Sequence, residues 1–367
     1  MNLARRSIAS YALPLVTLLA TTTGCDTTPR QYDGDRALGL FALTDGSFLV
    51  AIAEVYDKRC GDKRCDVVED LYLEKHKADG SLEFRTKLLA EQPPFGRALM
   101  KRLGTGQLLV STANLQTLFY VSTDGLTTNA FDVPGVAVSR MKDNNDWLVG
   151  GTGSDKRVHR YRVADGGDRT PETDSDFQGK PHNTFGDVRA TGDGGVAAVV
   201  ASTDTTEPPQ RLLKFGSDGK QVFSFTPASG ELGQLLNQAG DSLRILNYTG
   251  TTTKVLTVGA AGQLVGELDL TQILPKHIWP VDNNGIAAVD GSGARLLDQA
   301  GNATWTLAGA FGTSPEIFSN GMRTLVAGST SPTGAVGGEV TITDIDAAGA
   351  VTGTHPITKD QKRTIPE

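Results

Sequence analysis

The sequence predicts an all-β fold, a seven-bladed β-propeller of four-stranded antiparallel blades. The first observation is that two series of tight turns, rich in glycine, alternate along the chain, with seven turns in each series. Gly, Asn and Asp supply the positive φ that hairpin turns need, so each series marks one hairpin per blade. The second observation is the spacing: six intervals of about 46 residues separate Gly46 from Gly321, which is typical of propeller blades.

The two series differ in their position relative to the apolar runs. Turns of the first series precede an apolar run; they are Asp45-Gly46, Gly104 to Gly106, Asn144 to Asp146, Asp193-Gly194, Gly240-Asp241, Asn284-Gly285 and Asn320-Gly321. Turns of the second series follow such a run; they are Asp79-Gly80, Asp124-Gly125, Asp165-Gly166, Asp218-Gly219, Ala261-Gly262, Ala300-Gly301 and Ala348-Gly349. One turn of each kind therefore belongs to every predicted blade.

The predicted inner strands are apolar almost without interruption. Examples are Phe48 to Val55, Leu108 to Thr112, Val196 to Ala201 and Leu325 to Ala327. Such runs are typical of sheets that are buried on both faces, as a blade is between its two neighbours. A pair of β-sandwich domains is the alternative, but it does not explain why both turn series recur in step.

The amino terminus has the pattern of an export signal. Arg5 and Arg6 are followed by an apolar stretch, Ile8 to Ala20, and then by Thr22-Thr23-Gly24-Cys25, which resembles the lipobox of bacterial lipoproteins. The resemblance implies that residues 1–24 are a signal peptide and that Cys25 is lipidated. Thr22 replaces the aliphatic residue usual in that family, so signal cleavage without lipidation is the alternative. The run is too short and too polar for an uncleaved membrane span.

These features divide the chain into a signal peptide at 1–24, a flexible tether at 25–35, the propeller at 36–357 and a polar tail at 358–367. Loss of the signal peptide removes two arginines and no acids, so the net charge changes from −7 to −9. Nucleic acid is therefore not an expected partner. We expect a monomer in the bacterial cell envelope, attached to a membrane through its lipid. The sequence leaves open which membrane this is.

Two further cysteines, Cys60 and Cys65, lie close together in the first blade. Outside the cytoplasm, cysteines at this spacing are expected to form a disulfide. A zinc site is disfavoured because there is no second cysteine pair and no nearby histidine.

Blade connectivity predicts two unlike faces. The tight turns join the first strand to the second and the third to the fourth on one face, here called the glycine-turn face. The remaining connections lie on the opposite face, here called the long-loop face, and they include the irregular stretches 54–70, 166–185, 202–210 and 329–338. Loops carry binding more often than rigid elements do, so the long-loop face is the predicted binding face.

Polar residues enter the predicted innermost strands from the long-loop face and would surround the mouth of the central channel. The candidate binding residues at this channel mouth are Arg36, Arg97, Arg140, Asp187, Gln234, His277, Trp279 and Glu316. The alternative is a solvated polar rim with no ligand, since such channels need a polar lining in any case.

Sequence motifs of catalysis are absent: there is no G-x-S-x-G, H-E-x-x-H, G-x-G-x-x-G or Walker loop. No two histidines have metal-ligand spacing, and the acidic group at 165–176 lacks the EF-hand register. We therefore predict no catalytic residues, no metal and no cofactor.

Three segments resemble the outer hairpins of bacterial DG-turn propeller repeats, of the quinoprotein-like and related kinds. They are LLKFGSDGKQVFSF (212–225), EKHKADGSLEFRTK (74–87) and LLDQAGNATWTL (296–307). The resemblance implies the fold but no chemistry, and only Trp305 occupies the place of the tryptophan found in most quinoprotein blades. The predicted function is therefore non-enzymatic binding of a protein or envelope partner. The alternative is a periplasmic propeller enzyme, such as a calcium-dependent lactonase or a sugar dehydrogenase.

Overall fold

A computed structural model describes residues 31–60, 63–102, 106–112, 117–126, 128–132, 146–152, 155–164, 169–239, 241–271, 278–281, 285–290, 292–312, 315–330 and 338–357. The regular structure in these ranges consists of 27 β-strands. In this part of the chain we find no helix of the length and apolarity needed to span a bilayer.

The strands follow one another around the ring as antiparallel sheets. The first two sheets contain β1 (Gln31–Ala42), β2 (Phe48–Cys60), β3 (Lys63–His76) and β4 (Leu82–Gln92), then β5 (Ala98–Arg102), β6 (Leu108–Thr112), β7 (Thr117–Val121) and β8 (Thr128–Asp132). The next two contain β9 (Asp146–Thr152), β10 (Val158–Ala164) and β11 (Arg169–Asp174), then β12 (Asn183–Ala190), β13 (Val196–Ser202), β14 (Gln210–Phe215) and β15 (Gln221–Phe225).

Three further sheets complete the order. They contain β16 (Glu231–Ala239), β17 (Ser242–Thr249), β18 (Thr252–Val258) and β19 (Leu264–Asp269); β20 (Ile278–Pro280), β21 (Ile286–Asp290), β22 (Gly293–Leu297) and β23 (Ala303–Ala308); and β24 (Glu316–Ser319), β25 (Arg323–Thr330), β26 (Glu339–Asp346) and β27 (Val351–Ile357).

The fold is thus an all-β propeller with six four-stranded antiparallel blades, and the prediction of seven such blades is wrong. The finding that overturns it is the sheet β11-β10-β9, which has three strands in the described ranges. The sequence count was based on turns, and a turn identifies a hairpin without showing that a full four-stranded sheet surrounds it. The turn predicted at Asn144 to Asp146 lies, except for Asp146, outside the described residues.

The core lies between neighbouring sheets. Both β6 and β21 are buried along their whole length, as expected for strands covered on two sides. One apolar cluster joins the first two blades through Leu49, Leu71 and Phe119. Another joins β1–β4 to β24–β27 through Phe48 and Leu325. Burial of these side chains is the main stabilising term of the ring.

The ring closes where the first and last blades meet. In the described ranges each sheet is built from consecutive strands, and the first and last sheets exchange no strand. Instead, Asp35 N–H donates to the Gly338 carbonyl at 2.8 Å and Gly338 N–H returns a bond to Asp35 at 3.0 Å. The rings of Phe41 and Phe318 pack with centroids 5.1 Å apart. Closure therefore depends on side-by-side packing with a short backbone bridge.

The glycine-turn face has the predicted turn chemistry. Gly46 and Gly219 have φ values of 85° and 80°, a region that residues with a side chain rarely adopt. In the same turns, Asp45 accepts a bond from Ser47 N–H at 3.0 Å and Asp218 accepts one from Lys220 N–H at 3.1 Å. These local bonds explain why Asp-Gly recurs at the hairpins.

The amino-terminal end of the propeller lies earlier than predicted. β1 begins at Gln31, inside the 25–35 segment expected to be a tether, and Tyr32 is opposite Tyr56 in the ladder. The signal peptide at 1–24, Cys25 and the tail at 358–367 lie outside the described residues.

Candidate functional site

Six of the eight predicted channel-mouth residues lie on or beside the first strand of their sheets, and their binding role stays a prediction. Those on the strands are Arg36 (β1), Asp187 (β12), Gln234 (β16), Trp279 (β20) and Glu316 (β24), and Arg97 comes directly before β5. These first strands contact one another around the axis. Arg140 and His277 lie outside the described residues.

The structure brings three of the predicted residues together. Arg97 forms an ion pair with Glu316, Nε to Oε2, at 2.9 Å. Its two terminal nitrogens donate to the carbonyls of Ile278 at 2.8 Å and Ile317 at 3.3 Å, and its guanidinium carbon lies 4.9 Å from the centroid of the Trp279 ring. Arg97 therefore reaches from the second blade across the axis to two other blades and holds them together at the channel mouth.

Glu316, the acid of this cluster, has a strongly raised pKa. Burial raises its pKa to about 7, although the nearby Arg97 and Arg36 guanidinium groups act in the opposite direction. Because a charged carboxylate is costly in a poorly hydrated place, the proton is retained to near-neutral pH. A carboxyl group in this state can either donate or accept a hydrogen bond, which is a property of many binding and catalytic sites.

Arg36 is held by the first two blades. Its Nη2 donates to both carboxylate oxygens of Glu69, at 2.9 and 2.8 Å, and to the Phe95 carbonyl at 2.8 Å. Glu69 is fully buried and also accepts a bond from Phe95 N–H at 2.7 Å. The guanidinium is thus a structural link between β1, β3 and the segment that enters the second blade.

Asp187 and Gln234 form a separate group on the neighbouring blades. The Asp187 carboxylate accepts bonds from Arg189 Nε at 3.1 Å and Leu235 N–H at 2.8 Å, and burial raises its pKa. The backbone of Gln234 interacts with the Tyr248 hydroxyl, whose pKa burial raises to about 12. Both described channel-mouth acids, Asp187 and Glu316, therefore face an arginine.

The first blade extends beyond the others on the long-loop face. Its β2 has 13 residues and β3 has 14, whereas β13 in the fourth sheet has seven. At about 3.3 Å per residue, six additional residues add about 20 Å of hairpin. The prediction that 54–70 is an irregular loop is therefore wrong: except for 61–62, which are not described, this segment is strand.

One side of the first blade carries a set of aromatic and basic side chains, here called the tyrosine face: Tyr32 and Tyr56 at the base of the extension, and Tyr72, Arg85 and Lys87 farther along the blade on β3 and β4. Tyr32 and Tyr56 pack edge to face with centroids 5.8 Å apart. The Arg85 guanidinium carbon lies 3.5 Å from the centroid of the Tyr72 ring, and Lys87 Nζ is 5.4 Å from it. Burial raises the pKa of all three tyrosines, so their hydroxyl groups stay protonated at neutral pH.

Buried acids hold the tyrosine face in place. Glu54 accepts bonds from the Tyr56 hydroxyl at 2.6 Å and from Arg85 Nη2 at 2.6 Å. Arg85 Nε also pairs with the fully buried Glu74 at 2.9 Å, and Lys87 pairs with Asp70 at 2.9 Å. Alternation of Glu54 with Tyr56 and of Asp70 with Tyr72 is the sequence signal that could have predicted these strands. The many charged residues between them made the segment resemble a loop.

The cysteine pair lies at the end of the same hairpin. The ladder places Cys60 opposite Lys63 and Arg59 opposite Arg64, so the two cysteines do not occupy the same rung. Their side chains are outside the described part of the structure. The disulfide therefore stays a prediction.

Comparison with known proteins identifies the fold alone. No protein-family model matches the sequence, and the search of curated proteins found no match. Among solved structures, a catalytically inactive virginiamycin B lyase from Staphylococcus aureus with quinupristin is 10% identical, with a TM-score of 0.51, and the match covers 82% of this chain and 95% of that one.

Two further matches among solved structures have lower TM-scores. The Dos1 propeller is 10% identical, with a TM-score of 0.48, over 89% of this chain and 84% of that one. A protein of unknown function from Bacteroides caccae is 12% identical, with a TM-score of 0.44, over 69% of this chain and 94% of that one. At 10% identity the match to the lyase supports the fold alone, and no function is taken from any of these matches.

Proposed function

We propose that this protein is a non-enzymatic, lipid-anchored propeller of the bacterial cell envelope that binds a protein or envelope partner through its long-loop face. The observation that carries the proposal is the tyrosine face of the first blade, which starts at the base of the extended hairpin with Tyr32 and Tyr56 and continues onto β3 and β4. Tyrosine and arginine are the residues most enriched in the energetically dominant parts of protein interfaces.

The construction of the tyrosine face supports a binding role over a purely structural one. Its rings and cations are held by buried acids, such as Glu54 and Glu74, so little side-chain freedom is left to be lost when a partner binds. Lys87 keeps 45% of its side-chain surface exposed, which leaves a charged group at the edge of the patch. A preorganised surface of this kind suits a rigid partner.

The channel mouth favours binding over catalysis. Glu316 and Asp187 are paired with Arg97 and Arg189, so these two channel-mouth acids do not form a convergent pair of free carboxylates of the kind a calcium-dependent enzyme uses. Two pockets in the described residues have cavity volumes of about 10 Å³ each and are lined mainly by side chains packed between blades. Sites for small organic ligands are usually larger, about 300 to 1,000 Å³.

Site-specific photocrosslinking tests the binding proposal. A photoreactive amino acid at Lys87, on the tyrosine face, is expected to give one discrete adduct in intact cells. The matched position is Lys220 on the glycine-turn face, which is 75% exposed and is expected to give none. Tyr72→Ala should remove the adduct without unfolding the blade. An adduct from Lys220 alone, or from neither position, refutes the proposed face.

Lipidation is tested separately. We expect Cys25 to incorporate labelled palmitate and the protein to fractionate with membranes, since Gly24-Cys25 follows a basic and an apolar segment. Cys25→Ser should abolish both the label and the membrane fraction. If wild-type protein is processed and released without the palmitate label, the proposed lipid anchor is wrong. That result would not bear on the proposed binding face.

A further inference from the structure

Two loops of the long-loop face bring three potential metal ligands together. The connection between β11 and β12 carries His182, and the connection between β13 and β14 carries Asp204 and Glu207. One ligand atom from each of the three side chains lies within 4.8 Å of the other two. The prediction of no metal considered the spacing between histidines and the acidic group at 165–176, and did not consider these three residues together. Pairing of β12 with β13 is what joins their loops.

The histidine and the aspartate are at ligand spacing. His182 Nε2 is 3.3 Å from Asp204 Oδ2, yet this nitrogen is shielded from solvent and has no hydrogen-bond partner. Two ligands placed about 2.0 to 2.1 Å from a tetrahedral metal are about 3.3 Å apart. The distance therefore matches one edge of a tetrahedral site, whereas the angle is unsuited to a hydrogen bond.

The loops hold the ligands in position without using the atoms that face the site. Asp204 accepts bonds through Oδ1 from Thr206 N–H at 2.9 Å and from the Thr206 hydroxyl at 2.8 Å, while its Oδ2 faces His182 Nε2. Thr203 N–H donates to the His182 carbonyl at 3.3 Å and ties the two loops together. Arg211 binds Glu207 through Oε2 at 3.1 Å, on the side away from Oε1. Such supporting contacts orient metal ligands.

A positive group already occupies the site. Lys180 Nζ lies 2.5 Å from Glu207 Oε1 and 4.0 Å from Asp204 Oδ2, while 52% of the lysine side chain is exposed. Hydrogen bonds and these cations lower the pKa of both carboxyl groups, so both are ionised at neutral pH. The ammonium group is the part of the cluster that can move away, because it sits on a long and exposed chain.

We propose that His182, Asp204 and Glu207 bind a divalent transition metal of the zinc class, which displaces the Lys180 ammonium. One imidazole nitrogen with two carboxylate oxygens favours Zn²⁺ over Ca²⁺, which prefers oxygen ligands only. Three protein ligands leave a fourth position for water or for a group of a second molecule. This inference does not depend on the proposed partner binding.

Calorimetric titration of the mature protein with ZnCl₂ tests the site. The Cys60→Ser/Cys65→Ser background removes the thiols as competing ligands. His182→Ala should weaken Zn²⁺ binding at least about tenfold. Lys180→Met should strengthen it several-fold, a gain that a merely structural lysine would not produce. Zn²⁺ should also raise the melting temperature of the parent protein but not of His182→Ala.

His159→Ala is the matched control. His159 also lies between two carboxylates, but they contact opposite ring nitrogens: Asp174 at Nδ1, 2.5 Å, and Asp155 at Nε2, 3.0 Å. A single ion cannot bind all three groups, so this substitution should leave Zn²⁺ binding unchanged. The proposal is overturned if the parent does not bind Zn²⁺, if both histidine variants lose affinity equally, or if Lys180→Met weakens binding.

Discussion

Carboxylates on the glycine-turn face and at the channel mouth have opposite pKa shifts. On the glycine-turn face, the Ser81 hydroxyl and N–H hold the pKa of Asp79 below its usual value, and Lys220 N–H does the same for Asp218. At the channel mouth, burial raises the pKa of Glu316 and Asp187. A turn aspartate stabilises its turn when it is ionised. A channel-mouth acid favours the folded state when it is protonated.

The difference follows from the partners that each region can offer. A turn presents backbone N–H groups directly to an aspartate, and water solvates the rest of the carboxylate. The channel mouth offers arginines, but it removes water from around the acid, and this desolvation exceeds the attraction. Ionisation of the turn acids therefore supports folding, while ionisation of Glu316 opposes it.

The largest expected effect comes from removing the cation at the channel mouth. Arg97→Met deletes the link from the second blade to Ile278, Ile317 and Glu316 and leaves a buried acid without its partner. We expect a loss of about 3 kcal/mol in the free energy of unfolding, measured in urea at pH 7.

The exposed pair Lys254 and Glu267, 2.7 Å apart, provides the control for this substitution. Lys254→Met should leave the unfolding midpoint unchanged, because solvent screens both charges. Equal midpoints for the Arg97 and Lys254 variants would contradict the view that the channel mouth is a buried link between blades.

The second prediction concerns the contribution of Glu316 to stability, which depends on pH. The pKa of Glu316 is raised from 4.5 to about 7, so the folded state binds its proton more tightly than the unfolded state does. The resulting stability is complete below pH 4.5 and is lost as pH rises to about 7. Glu316→Gln should remove this dependence and be more stable than the parent at pH 8, by up to about 3 kcal/mol.

Urea unfolding at pH 5 and pH 8 measures the contribution of Glu316. The turn aspartates are ionised at both values and are shared by the two proteins, so the difference isolates this one side chain. A Gln variant that is less stable than the parent at pH 8 would show that the ion pair with Arg97 outweighs desolvation.

The smallest effect concerns a turn acid. Asp193 accepts a bond from Gly195 N–H at 3.1 Å and pairs with Lys214 Nζ at 2.8 Å, and its pKa is lowered to about 2. Asp193→Ala should lower the free energy of unfolding by about 1 to 2 kcal/mol. The loss is no larger because half of the aspartate side chain is exposed and solvent screens its charge. The stability difference should shrink as pH falls from 3.8 toward 2.

Asp218→Ala is the comparison for this turn. It removes a similar backbone bond but no buried lysine, since Lys220 is exposed, and should cost less than Asp193→Ala at neutral pH. Chemical unfolding of both variants distinguishes the turn bond from the lysine pair. A larger loss in the free energy of unfolding for Asp218→Ala than for Asp193→Ala would show that the Lys214–Asp193 pair does not stabilise the fold.

The sequence was sufficient for features that depend on a few neighbouring residues. Asp-Gly pairs indicated the turns because a positive φ and an aspartate bond two residues onward are local properties, as at Gly46 and Gly219. The unbroken apolar run of β13 likewise indicated a strand covered on both sides. The number of complete blades was predicted wrongly, because a hairpin signal does not report how many strands pair beside it.

The tertiary structure alone decided which polar groups meet. Arg97 bonds to Ile278, a residue 181 positions away, and only the curvature of the ring brings their strands together. His182 approaches Asp204 because two loops follow paired strands. The sequence by itself determined the all-β character and turn positions such as Gly46 and Gly219. Charge partners and burial depend on long-range packing, which no local pattern encodes.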